Sequence, residues 1–522
     1  MSADNHDKEP VAGLSAASSC ISLSLCLDEN SPSFFPVYTH QCFPEEYIQG
    51  WRPYTRAEQN SLQVYRRWRN NGDQDPNETS SAVENHSSYK YVDNQDNRIS
   101  VNVLLSPSCQ KCKIEAVVSY TDKKEMKPNQ PTNSAEEPAA KKIKRVTFED
   151  TGIKSTQQVS VEDIIKKIQP SLPPIEECKL VCCSNDYAQI NEKQSTSDLN
   201  FLPQPIGVVV KRYSRKIKRN DGTGEDRQFI ITLAKGSGGS DPSVSSYHNS
   251  VQPLARWFIE TADEVNISKE DGGFWSVLYL FREHSIMSSG DGSTCQFSLA
   301  GYVTLFHFHS PFRKPQAGII VRICQALIIP TYQRAGHGSQ LLLAVYEYAD
   351  RYLNDYATSS TGADIVEVNV EDPAPGFVAL RDRVDYKRFV SLLDSMANKN
   401  ENLDSTKHLK NCPVTCKEYF QPAPDGGLSL STLLKITIRQ AEVIIEIYKL
   451  DAVEKWKESS NDHAKIEQIE TYYRLMVKKS LRMFRIEELG ACEGGKDEQK
   501  ALLAKWFDQT YNHYRKLLGL SI

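Results

Sequence analysis

The sequence predicts a mixed-sheet α/β (α+β) protein, with a smaller amino-terminal α/β part before the main domain and a helical region after it. Three observations predict it. Near the start, Ile21, Leu23, Leu25 and Leu27 alternate with Ser22, Ser24 and Cys26, the period-two pattern of a strand. From Ile206 onward, strand patterns and helix patterns interleave. Toward the carboxyl end only helical periodicity remains, clearest in Ile438 to Leu450 and Glu498 to Leu518.

The elements follow in order. A first ordered block runs from the early strand through Phe34 to His40 and the aromatic, Arg-rich stretch Tyr65 to Trp68. Cys112 to Tyr120 is a second strand, and Val161 to Ile168, with apolar residues at 161, 164, 165 and 168, is an amphipathic helix stopped by Pro170. Between them lie polar stretches rich in Asn, Asp, Ser and Pro that cannot bury enough apolar surface to offset chain entropy. Strands are then expected at Gly207 to Tyr213 and Phe229 to Leu233, a helix at Leu254 to Glu264, and a hairpin of Phe274 to Phe281 with Phe297 to Phe308. Strand Gly318 to Ile329, helix Ser339 to Leu353, strand Ile365 to Val370 and helix Pro375 to Phe389 complete the main domain. The expected division is therefore 1–19 disordered, 20–205 amino-terminal with disordered insertions at about 70–97 and 121–159, 206–395 central, and 396–522 helical.

Composition narrows the function. Lys plus Arg number 62 against 67 Asp plus Glu, so a net charge of -5 supplies no general attraction for nucleic acid, and no direct nucleic-acid binding is expected. The basic run Lys211 to Arg219 reads as a hairpin with a solvated face. Thirteen scattered cysteines fit the reduced thiols of the cytosol or nucleus. Cys109 and Cys112 have zinc-type spacing without a second pair at finger distance, so no metal is expected. The early apolar stretch has no cationic leader and is too short to span a bilayer, which leaves neither signal peptide nor membrane helix in the expectation. Lys141 to Arg145 is a basic cluster, either an import signal or a solvated charge run.

The sharpest chemical signal is Gln333-Arg334-Ala335-Gly336-His337-Gly338, between a strand ending Leu327-Ile328-Ile329-Pro330 and a helix opening at Ser339. A strand, a Gly-containing turn and a helix gather free backbone N–H groups and the positive helix end at one point, where an anion such as a pyrophosphate is stabilised. Glycine at 336 and 338 allows close approach of the backbone. A Gly-x-Gly alone is more often only a turn, but Gln-x-x-Gly-x-Gly in this setting resembles the coenzyme A loop of the GCN5-related N-acetyltransferase superfamily.

Four separated stretches narrow the resemblance to the type B histone acetyltransferase catalytic subunits: Phe34 to Gln41, Trp257 to Ala262, Gln333 to Gly338, and Glu371-Asp372-Pro373 with Leu380-Arg381-Asp382. The resemblance implies a superfamily acetyltransferase domain, acetyl-CoA as co-substrate, and acetyl transfer to lysines of the newly made histone four tail. It implies that Ala326, Leu327 and Ile328 offer backbone groups to the pantetheine arm, and that Gln333, Arg334, Ala335, Gly336, His337, Gly338 and Ser339 enclose the phosphates. It marks Glu371 as general base, with Asp372 and Glu260 as the other carboxylates near the lysine. Glu45, Glu46, Trp275, Phe306, His307 and Phe308 are implied to hold the peptide, although Tyr47 stands where the family has a third acidic residue and a strand tryptophan is more often core. It also implies a WD-repeat histone-binding chaperone subunit as partner, and residence in nucleus and cytoplasm.

The chemistry itself calls for a base. A lysine of pKa about 10.4 is roughly 99.9% protonated at neutral pH and is then no nucleophile. Where many superfamily members use a tyrosine to protonate the departing thiolate, this chain has Phe377, which leaves Tyr386 as an alternative. Two rival readings are an acetyltransferase for protein amino termini or small amines, and an inactive histone chaperone scaffold.

Overall fold

The computed structural model describes residues 21–25, 33–36, 91–92, 98–120, 165–166, 168–184, 201–218, 224–235, 242–259, 262–267, 274–287, 293–356, 364–398, 414–421, 425–492 and 495–520. Two compact units emerge, Met1–Thr304 with Gln325–His337, and Leu305–Cys324 with Gly338–Ile522.

The first unit opens with a mixed sheet of β1 (Ile21–Leu25), β2 (Ser33–Pro36), β3 (Tyr91–Val92), β4 (Arg98–Leu105), β5 (Cys112–Tyr120) and β6 (Ile175–Ser184), ordered β2-β1-β4-β5-β6 with β3 on β4. Its register sets Leu23 and Leu25 beside Val103 and Leu105, and Val103 opposite Ile114, all buried. This is the period-two pattern converted into one apolar face. The turn joining β4 to β5 holds Cys109 at φ 56, and burial pushes the Cys112 thiol up to about 12, so both cysteines are structural thiols.

A second sheet runs β12-β11-β10-β9-β8-β7 in hydrogen-bonded order. Its strands are β7 (Val208–Lys218), β8 (Gly224–Lys235), β9 (Trp275–Met287), β10 (Ser293–Ser310), β11 (Gly318–Ile328) and β12 (Ile365–Val370). The ladders of β7 with β8 and of β8 with β9 are antiparallel, whereas β12 lies parallel to β11. In β9 every residue from Val277 to Phe281 is buried, as expected of a strand covered on both faces.

Helix α1 (Pro242–Val251) and the short α2 (Ala255–Phe258) pack in the first unit through Tyr247, Val251, Leu254 and Trp257. The expected helix Leu254 to Glu264 is corrected here. Leu254 belongs to a 3-10 turn after Pro253, and the helix ends at Phe258 because Ile259 is extended at φ -122, ψ 115. The buried indole of Trp257 donates to the Ser171 carbonyl and anchors this short turn. Helix α1 escapes the sequence reading because its Ser-rich stretch has weak helix propensity. Within the first unit, Leu299 N–H of β10 donates to the Pro107 carbonyl at 2.9 Å and the Tyr247 hydroxyl of α1 donates to the Ser108 carbonyl at 2.9 Å, both in the turn between β4 and β5.

In the second unit, α3 (His337–Tyr356, whose first residue belongs to the other unit) is followed by α4 (Pro375–Asn398), α5 (Leu428–Leu434), α6 (Ile438–Ser459), α7 (His463–Phe484), α8 (Ile486–Gly490) and α9 (Gly495–Leu518). Thr437 caps α6 by accepting from the Gln440 N–H, and Asp462 caps α7 in the same way from Lys465. Buried polar groups between α4, α6 and α9 find partners: Gln440 donates to Asp382 at 2.9 Å and Asp385 at 3.1 Å, and the Tyr514 hydroxyl donates to Glu446 at 2.8 Å. Satisfied buried groups of this kind fix helix register.

Replacing Tyr247 by Phe keeps the ring and leaves the Ser108 carbonyl without its partner. Stability to denaturant should fall by about 1 to 3 kcal/mol. An unchanged unfolding midpoint would show that this bond does not hold α1 against the turn between β4 and β5.

Candidate active site

The turn after β11 is built by backbone geometry. Ile329 N–H donates to the Ala300 carbonyl at 2.9 Å, Pro330–Tyr332 forms a 3-10 turn, and the Gln333 amide reaches back to the Ile328 carbonyl at 2.8 Å. Gln333 thus closes the turn on its own strand and occupies the Ile328 carbonyl. Arg334 at φ 63 and Gly336 at φ 82 then turn the chain through the left-handed region, and α3 begins at His337. Arg334 and Ala335 are exposed at the tip, and Ala326 and Ile328 are half-buried on one face of β11 while Leu327 is buried on the other. Gly301 matters here because a methyl group on it would collide with the Leu327 carbonyl.

His337 is 1% exposed, so its side chain belongs to the core. Its Nδ1 shares a 2.8 Å hydrogen bond with the Tyr213 hydroxyl, and its ring lies 4.2 Å from that of Phe229. Burial, then the Arg215 charge, lowers its pKa to about 4. Arg215 of β7 reaches the turn: a Cβ on Gly336 would lie 3.0 Å from an Arg215 terminal nitrogen. Gly336 is therefore favoured by its backbone angle, and a side chain there would also press on the guanidinium beside it. Gln325, on β11 before the turn, donates to the Asp263 carbonyl at 2.6 Å.

In the second unit, Glu367 and Asn369 of β12 and Glu371 just beyond its end form a run of polar contacts. Arg313 pairs with Glu367 at 2.8 Å, Asn369 donates to Glu367 at 3.3 Å, Arg322 donates to Asn369 at 3.4 Å, and Arg322 also lies 3.9 Å from the Glu371 carboxylate. Glu371 N–H continues the ladder to the Ile323 carbonyl at 3.0 Å, and its side chain is 56% exposed. Asp372 follows at φ 36 and is exposed. Cys324, half-buried on β11, faces Glu371; burial first, then a hydrogen bond to Glu371 and its charge, push the thiol up to about 12.

The aromatic run on β10 divides by strand alternation. Phe306 and Phe308 stack at 6.2 Å, with Arg322 over Phe308 at 5.1 Å, while His307 points the other way and bonds the Tyr348 hydroxyl at 2.9 Å. Trp275 is half-buried at the start of β9. The Tyr386 hydroxyl donates to Asp451 at 2.8 Å, and burial followed by that carboxylate raises its pKa, so this phenol is engaged in helix packing. Glu45, Glu46, Glu260 and the 141–145 cluster lie outside the described residues. Sequence reasoning missed Arg215, Tyr213 and Cys324. The available signal was strand alternation, which pairs Tyr213 with Arg215 but cannot say which face turns inward.

No family model matches the chain. Among curated proteins it is similar to a histone acetyltransferase type B catalytic subunit of Dictyostelium discoideum, 26% identical over 330 residues, covering 63% of this chain and 56% of the relative. The corresponding protein of Cryptococcus neoformans is 27% identical over 282 residues, 54% of this chain and 58% of the relative, and that of Rattus norvegicus 29% over 226 residues, 43% and 45%. The chain thus spans about half the length of the curated relatives it matches. A solved structure of Arabidopsis thaliana NAA60 with a bisubstrate analogue is 14% identical over 23% of this chain and 67% of that one, with a TM-score of 0.13.

Because burial holds His337 neutral, its folded pKa of about 4 lies below the ordinary 6.5, and the unfolded chain takes up the proton first. The stability it contributes is present above pH 6.5 and is lost as pH falls toward 4, by roughly 3 kcal/mol at about 1.4 per pKa unit. Buried His248, lowered to about 3, acts in the same sense. Replacing His337 by Asn should flatten, without abolishing, the acid limb of a stability-against-pH curve, and an unaltered limb would contradict the burial assigned to this ring. By sequence the chain is related to the type B histone acetyltransferase catalytic subunits over part of its length and of theirs.

Proposed function

We propose that the chain is a lysine acetyltransferase that moves acetyl from acetyl-CoA to the histone four tail by direct attack, with Glu371 as general base. The observation that carries the reading is the turn after β11, where left-handed Arg334 and Gly336 lead into the start of a 20-residue helix. Backbone N–H groups and the helix end there favour a phosphate, and the residues present fit coenzyme A. The relatives' names support the same reading.

Acetyl-CoA supplies the acetyl group as a thioester. Ala326 and Leu327 offer main-chain groups to the arm that carries it, while Ile328 has its carbonyl committed to Gln333. Phe306 and Phe308 provide an apolar face for the stem of the target lysine, and Trp275, Glu45 and Glu46 belong to the same peptide-holding role. Glu371 takes the ammonium proton; the freed amine attacks the thioester carbon, the carbon–sulfur bond breaks with its electron pair going to sulfur, and the nitrogen's surplus proton passes to the departing thiolate or to solvent, which leaves the amide. Asp372 and Glu260 are the remaining carboxylates that can share this proton. Cys324 stays protonated beside Glu371 and is therefore a poor acyl acceptor, which favours direct transfer over a covalent enzyme intermediate. With Tyr386 bound to Asp451 and Phe377 at the start of α4, thiolate departs without a phenol acid. A WD-repeat chaperone partner, residence in nucleus and cytoplasm, and a domain division at 206 and 396 complete the reading.

Glu371→Gln keeps the shape of the side chain and removes the proton acceptor. Turnover on a histone four peptide should fall by about 10² to 10⁴-fold with coenzyme A affinity little changed. Raising the pH should recover part of the loss as more lysine is neutral. If Glu371→Gln turns over normally while Asp372→Asn or Glu260→Gln collapses and recovers in alkali, the base is the other carboxylate.

A further inference from the structure

Along β7, Arg212, Ser214 and Lys216 are exposed, whereas Lys211, Tyr213 and Arg215 are half-buried. The inward set meets the turn after β11. Tyr213 holds His337, and Arg215 lies over the Tyr213 ring at 5.7 Å with its guanidinium against Gly336. Ladder register sets Arg227 opposite Arg215, and Arg282 opposite Phe229, so three arginines share one face of this part of the sheet.

Among the described residues, Arg215 has no carboxylate within ion-pair distance, and its Nε is enclosed without a hydrogen-bond partner. Its charge is felt at the turn, since it helps keep His337 neutral. A guanidinium, the backbone N–H groups of a left-handed turn and a helix amino end are all of positive sign. Gathering them at one spot costs stability unless an anion stands among them.

We propose that Arg215 is a phosphate-binding residue that grips the diphosphate of the acetyl donor against the Gly336 turn. The proposal rests on the coenzyme A reading and adds to it a side chain from a strand remote in sequence. A guanidinium can bond two phosphate oxygens at once from a planar fork, a geometry that lysine does not reproduce.

Calorimetric titration of the full chain and its Arg215→Gln and Arg215→Lys variants with coenzyme A and 3′-dephospho-coenzyme A, together with turnover of acetyl-pantetheine, tests this. Arg215→Gln should weaken both nucleotides by about 10 to 100-fold, and Arg215→Lys by less, while kcat/KM for acetyl-pantetheine stays unchanged. In the unmutated chain, coenzyme A should protect Arg215 from an arginine-selective dicarbonyl reagent, a readout that does not depend on a variant folding. Unchanged coenzyme A affinity in Arg215→Gln, an equal loss on acetyl-pantetheine, or no protection overturns the proposal. Weakening of coenzyme A alone moves the contact to the 3′-phosphate and overturns the diphosphate assignment. If the unmutated chain binds no coenzyme A, the acetyl-CoA reading itself fails.

Discussion

The left-handed backbone at Gly336 is the constraint on which the candidate site depends. At φ 82 a side chain would be strained, and a Cβ would come within 3.0 Å of an Arg215 terminal nitrogen. This turn ends a buried strand, Gln333 closes it onto that strand, and His337 begins the helix with its ring already locked against Phe229 and Tyr213. A phosphate site made of main-chain groups is only as exact as the backbone that presents them. Here the backbone is fixed by core contacts on one side and a cation on the other.

Strand β11 carries Arg322 and Cys324 in one compact unit and Ala326 and Ile328 in the other. Around the first pair, the polar chain Arg313, Glu367, Asn369, Arg322 and Glu371 orders the end of β12. An exposed carboxylate exchanges protons with solvent readily, and one held loosely by an arginine can turn toward an incoming ammonium without losing a strong ion pair. Burial and the Glu371 carboxylate push the neighbouring Cys324 thiol up to about 12, so under the proposed mechanism it adds no second anion and does not compete for the acyl group.

Much of this was legible in the sequence. The strands Cys112–Tyr120 and Ile365–Val370 were expected with the bounds observed, because period-two alternation and a continuous apolar run leave little choice of register. The turn from Gln333 to Gly338 was legible because glycine spacing next to a strand is a backbone signal. Strands Arg98–Leu105 and Ile175–Ser184 lie beside polar neighbours and have no counterpart in the sequence reading, whereas helix His463–Phe484 falls inside the carboxy-terminal region expected to be helical. Arg215 and Cys324 were illegible for a different reason. Their meaning comes from cross-strand register and from which face turns inward, and neither is written in a local pattern.

Intact-mass and peptide mass spectrometry of histone four after incubation with this chain and acetyl-CoA tests the central claim most directly. The account predicts acetyl groups on lysine side chains that appear only when both protein and acetyl-CoA are present. Coenzyme A binding without acetylation of any lysine, or acetyl confined to an amino terminus or to free amines, would contradict it.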